Sequence, residues 1–165
     1  MERALAVLRR YSTNVDLLKH VTAVAACLKH FARIAGEDEK YWEEIGILHG
    51  LAYEMFYDVR GQKSADIFVR EKLSNEQIRS IMAHGFGSLT DVVPNCYMEY
   101  VFVAVDQIAQ FAIAPHEVRD FETIKQMFIN KEFAVGTKRI KDMCAKMDKD
   151  VPSFLIQTLA IIHGQ

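Results

Sequence analysis

The chain has 165 residues, half hydrophobic and a quarter charged, which suits one ordinary globular domain and excludes a fibrous or largely disordered protein. Its net charge of −2, with 20 Lys and Arg dispersed among 22 Asp and Glu, provides no basic stripe, so neither nucleic acid nor a membrane surface is an expected partner. Cys27, Cys96 and Cys144 are odd in number and lack CxxC spacing, which fits thiols of a reducing cytoplasm better than a disulfide frame.

The opening MERALAVLRRY mixes charge with apolar residues and does not read as a signal peptide. Leu5, Val7 and Leu8 predict a short helix over Glu2–Tyr11, and Ser12-Thr13-Asn14 breaks it and caps the next. Helical spacing of Leu17, Leu18, Val21, Val24, Ala25 and Leu28 predicts a long helix from Val15 to Ala35, stopped by Gly36. Glu37-Asp38-Glu39 opens a third helix running through Trp42, Ile45 and Leu48 to about Tyr53.

Residues 56–62 read as a turn before Ser64–Lys72, and Ser74-Asn75-Glu76-Gln77 is a capping box for a helix ending at His84. Gly85 to Asn95 holds two glycines and a proline and is expected to be a loop over a site. An apolar helix follows from Cys96 to Ala114, halted by Pro115; Asp106, Gln107 and Gln110 make it too polar to span a bilayer. Three further helices are expected at Phe121–Lys131, Thr137–Met147 and Pro152–Ile162, the last opened by Asp150. With weak strand signals and no linker or repeat, the expected fold is all-α, a single helical bundle over residues 1–165 around a central pocket.

Three groups interrupt segments otherwise built for burial: His20, His49 and Asp106. Each alone suits a hydrogen-bonded core residue; together with His84 they suggest a site. Their order and context, LLKHVTAV, GILHGLAYE, EQIRSIMAHG and VFVAVDQIA, with a weaker extension in KEFAVGTKRI, resemble the HD metal-dependent phosphohydrolases along most of the chain. The resemblance implies a divalent ion (Mn, Fe or Mg) held at His20, His49, position 50 and Asp106, activating water for phosphate-ester hydrolysis. Position 50 is glycine, however, where the family has aspartate; Ala52 removes a second acid, and Arg60 stands where many relatives carry a further histidine. Ala25 likewise occupies a place where relatives often have Glu.

These departures cluster at site positions, as natural loss of the metal or deliberate remodelling of the scaffold would produce. Small residues at Ala25, Gly50 and Ala52, with Tyr53, Phe56, Tyr57, Phe86 and Phe102 around them, suggest a pocket for a flat apolar ligand, lined also by Arg60, Cys96 and Gln110. The leading expectation is therefore metal-free acid/base or nucleophilic chemistry without a cofactor on a small apolar or aromatic substrate. His49 or His84 is the base, Asp106 orients it, and His20 stands beside them. Cys96 is a weaker nucleophile candidate, with a buried inert thiol the blander alternative. Two other readings stay open: a metallophosphohydrolase using His20, His49 and Asp106 alone, and a non-catalytic module that binds a small molecule. Homo-oligomerisation is left open as well.

Overall fold

A computed structural model describes residues 2–51, 67–87, 90–114, 117–130 and 134–164. Their architecture is all-α: α1 (Glu2–Leu8), α2 (Val15–Ala35), α3 (Glu39–Leu48), α4 (Asn75–His84), α5 (Tyr97–Ala112), α6 (Phe121–Ile129), α7 (Ala134–Lys146) and α8 (Val151–Ile162). No described helix is long and apolar enough to cross a membrane.

The helix ends follow the capping chemistry of the sequence. Asn14 Oδ1 accepts from Asp16 N and Leu17 N at 2.9 and 3.1 Å, and Asp38 Oδ1 accepts from Lys40 N and Tyr41 N at 2.9 and 3.0 Å. At α4 both halves of the capping box form: Gln77 N donates to Ser74 Oγ, and Ser74 N donates to Gln77 Oε1. Gly36 ends α2 in the left-handed conformation, φ 72°, which a side chain would strain.

Several boundaries differ from expectation. The third helix stops at Leu48, with His49 as its cap, instead of running to about Tyr53, and α7 begins at Ala134 instead of Thr137. The first helix stops at Leu8, and Arg9–Tyr11 complete only a turn on the carbonyls of Leu5, Val7 and Leu8. Helix α5 ends at Ala112, short of Pro115, and Ile113–Ala114 pairs antiparallel with Glu117–Val118. A residue before proline is pushed toward extended backbone, and the two-residue pairing then supplies the hydrogen bonds that a further helical turn would have made. The expected turn over 56–62 lies outside the described residues.

Helix α5 is the axis of the bundle: thirteen of its sixteen residues are buried, and it packs against α2, α4, α7 and α8. Phe102, Ile108, Leu28, Ile45, Ile47 and Ile81 are completely enclosed around it. Burial of one such side chain stabilises by about 1.5–3 kcal/mol, so the polar residues embedded in α5 sit where water cannot serve them.

The most extensive helix pair is α2 with α3, and one glycine sets its spacing. A Cβ on Gly46 would lie 2.6 Å from Ala25 Cα and 2.9 Å from Ala25 N, backbone atoms that cannot turn aside. Ala25 is thus a packing residue at a helix crossing, with no cavity beside it. Gly50 is also filled in: a Cβ there would meet Val21 Cγ1 at 2.9 Å and both Leu8 methyls at 3.1 Å. The room expected for a flat ligand is therefore taken up at position 50 by hydrocarbon from α1 and α2, and at position 25 by the α3 backbone at Gly46.

Gly46→Ala should gain roughly 1 kcal/mol of helix propensity but force α2 from α3, for a net loss of about 2 kcal/mol and a fall of roughly 4–8 °C in Tm. Gly50→Ala, which presses only on side-chain methyls, should cost less. Calorimetry showing Gly46→Ala as stable as the parent would refute the close crossing.

Candidate functional site

Four helices each deliver one group to the same place. His20 projects from the second turn of α2, His49 caps the C-terminal end of α3, His84 is the last residue of α4, and Asp106 lies in the middle of α5. Ligating atoms of His20, His49 and Asp106 all fall within 4.8 Å of one another. The rings touch in sequence: His20 and His49 centroids are 5.4 Å apart, His49 and His84 5.2 Å, and Phe102 stacks on His84 at 5.0 Å while presenting an edge to His49.

The hydrogen bonds assign most of the protons. His49 Nδ1–H donates to the Gly46 carbonyl at 2.7 Å, so its Nε2 carries a lone pair, and that nitrogen lies 3.5 Å from Asp106 Oδ1. His84 repeats the arrangement, with Nδ1–H donating to the Ile81 carbonyl. His20 Nε2–H donates to Asp106 Oδ1 at 2.9 Å. On the far oxygen, Asp106 Oδ2 accepts from Gln110 Nε2 at 2.7 Å and from Gln107 Nε2 at 3.3 Å.

The electrostatics follow from burial. His49 is enclosed, and loss of hydration, with His84 alongside, pulls its pKa down to about 3 against the attraction of Asp106. His84 is lowered for the same first reason. Burial pushes Asp106 upward, but the His20 hydrogen bond and the imidazoles around it hold the carboxyl below the ordinary carboxylate range. With His49 and His84 neutral, His20 is the partner that keeps Asp106 ionised. The cluster thus holds an interior carboxylate and two bare imidazole nitrogens, and His20, with 16% of its side chain accessible, is the most exposed of the three histidines.

Of the residues singled out from sequence, His20, His49, His84, Asp106 and Phe102 assemble. Gln110 is present too, but as a donor to Asp106. Phe86 follows α4 on a turn bridged to Thr90, two residues past His84 and half-buried. Cys96 caps α5 ten residues before Asp106, roughly 15 Å along the helix, and is exposed instead of buried. Burial of its surroundings raises the thiol's pKa, which is the opposite of nucleophile activation. Ala52, Tyr53, Phe56, Tyr57 and Arg60 lie outside the described residues.

Sequence reading missed Gln107 and Arg139. Gln107 had a signal, since it adjoins Asp106 in VDQIAQ. Arg139 did not: one of two adjacent basic residues on an amphipathic helix, it reaches in from α7 to donate from Nη2 to the His84 carbonyl at 2.5 Å. Burial lowers its pKa while the charge of Asp106 opposes the shift, so guanidinium and carboxylate act on each other directly.

Comparison with protein-family models, curated proteins and solved structures gives no match to the chain.

The pKa shifts set a pH dependence. His49 is protonated near 6.5 when unfolded and near 3 when folded. The unfolded state therefore binds the extra proton between those values, and stability present above pH 6.5 drains away as pH falls toward 3, by up to roughly 1.4 kcal/mol per unit. His84 acts in the same sense, while Asp106 adds its own loss only below about 4. Urea unfolding of chelator-treated protein should show this slope between pH 4.5 and 6.5, and His49→Phe should make it shallower. An unchanged slope in the variant would show that His49 is not buried neutral.

Proposed function

We propose that the cluster is a divalent-metal centre with His20, His49 and Asp106 as its protein ligands, and that the chain is a metal-dependent hydrolase acting on an anionic, phosphate-type ester. One observation carries this reading. The His49 Nδ1–H bond to the Gly46 carbonyl turns its lone pair at Nε2 onto the same ionised oxygen, Asp106 Oδ1, that His20 Nε2 approaches from the other side. Metal-binding histidines are commonly oriented through a backbone carbonyl at the other ring nitrogen, and a lone pair facing a carboxylate at 3.5 Å is poorly satisfied without a cation. Gln107 and Gln110 complete the support by holding Oδ2, leaving Oδ1 toward the imidazoles.

Two imidazoles and one carboxylate suit Mn, Fe or Zn better than Mg, and the set leaves coordination positions free. Such an ion would supply Lewis acidity and water activation. The chain's own residues supply the rest. Phe102 and His84 wall the inner side against water, His20 would ligate through Nε2 with its ring proton on Nδ1, and Arg139 adds positive charge beside the cluster. The absence of a carboxylate at position 50 leaves one anion among the ligands, so an ion and Arg139 together favour an anionic substrate. The motif-level resemblance to HD phosphohydrolases points the same way.

A metal-free reading is favoured by a different observation: His20, with Nε2–H on Asp106 at 2.9 Å and part of its ring exposed, is an oriented base. In that reading the base is His20 and not the deeply buried His49 or His84.

Metal analysis after loading with Mn, Fe or Zn should find about one equivalent, lost in His49→Ala and Asp106→Asn. Less than a tenth of an equivalent would exclude the metal reading. The loaded protein should cleave p-nitrophenyl phosphate or its bis-ester, with Asp106→Asn at least about 100-fold slower; turnover that survives chelation and depends on His20 would establish the metal-free alternative. Gln110→Ala should weaken the metal by about tenfold, measured by competition with a chromophoric chelator.

A further inference from the structure

The outer face of α2 carries a second feature that the hydrolase reading does not use. An open groove of about 560 Å³ lies between the outer face of α2, the end of α5 and the end of α8, lined chiefly by Leu18, Ala23, Ala26, Ile113, Ile161 and Ile162. Among the described residues its only charged lining residue is Lys19, and Thr22 is the other polar side chain. The volume is that of a small-molecule site, and the lining is apolar with one cation at its side.

Its position relative to the cluster follows from helix geometry. The α2 residues in the groove run from Val15 to Ala26, about 16 Å of helix, and His20 lies within that stretch, directly after Lys19 and one turn before Ala23. Ile113 directly follows α5, three residues after Gln110 and seven after Asp106, so the groove reaches the end of the helix that carries Asp106. His20 and Gln110 are the members of the cluster that reach solvent, and both are on the helices that form the groove. An anionic head at the cluster's open side would therefore have Lys19 beside it and an apolar channel leading away.

We infer that this groove holds the hydrocarbon part of the substrate, and that the substrate class is an alkyl or similarly elongated apolar phosphate ester, its anionic end at His20 and its chain along α2 toward α8. This rests on the hydrolase reading for the identity of the head group, while the chain-binding part stands on the groove alone. A linear chain fits better than a flat ring, because the described lining is a run of aliphatic side chains, most of them along α2, with no aromatic ring among the described residues.

The test is binding of butyl, hexyl and octyl phosphate, below their aggregation concentrations, to metal-loaded and chelator-treated protein by calorimetry. Partial burial of each methylene should give about a twofold gain per carbon, so octyl phosphate, four carbons longer, should bind roughly 16-fold tighter than butyl phosphate. Ala26→Trp and Thr22→Trp, both at exposed positions of α2, should abolish the gain with chain length, metal content serving as the control that the ligand cluster is intact. Affinity independent of chain length, or a gain that survives both tryptophans, would overturn the inference and leave the metal-centre reading intact. A chain-length gain that the tryptophans remove in protein holding no metal would uphold the groove and cost the hydrolase reading its head-group chemistry.

Discussion

The organisation of the domain turns on one carboxylate that cannot reach water. Asp106 is 2% exposed in the most enclosed helix of the bundle. An ionised group in such a place must be surrounded by donors, and three side chains from two helices meet that need: His20 from α2, and Gln107 and Gln110 from α5. The histidines of α3 and α4 are then brought to the same point with their donor hydrogens already committed to carbonyls of their own helices. What looks like a polar flaw in an apolar core is a set of mutually dependent orientations. It is also where the core holds the components of a chemical site.

Much of this was legible in the amino-acid sequence, and the reasons are physical. Caps announce themselves locally, so Asn14, Asp38, Ser74 and Asp150 mark helix starts without reference to the rest of the chain. Histidine and aspartate inside apolar helices stand out because their burial is costly, and this is why His20, His49 and Asp106 could be grouped before any contact was known. The end of α5 was less visible, since the proline effect fixes where a helix cannot continue but not where the chain first finds other backbone partners.

The space around position 50 was illegible for a different reason. A glycine in a sequence reads as a vacancy, yet whether the room exists depends on side chains from remote segments. Here Leu8 and Val21 occupy it, and Ala25 is taken up by the backbone crossing at Gly46. Arg139 escaped in the same way, because its approach to His84 is set by the placement of α7 on α5. Long-range packing decides such points, and no local pattern encodes it.

Gly46 joins two of these threads in one residue. Its missing side chain lets α3 lie against Ala25 of α2, and its carbonyl oxygen receives the Nδ1 proton of His49. His20 lies on the helix that Gly46 touches, so the separation of the two imidazoles and the aim of one of them share a single mechanical origin. Helix spacing thereby sets the geometry of the cluster: under the proposed metal-centre reading, spreading α2 from α3 by a few tenths of an ångström would alter the bite offered to an ion, and with it the preferred ionic radius, while every ligand stayed the same. Selectivity in such a centre is a property of the scaffold's tolerance as much as of its donor atoms.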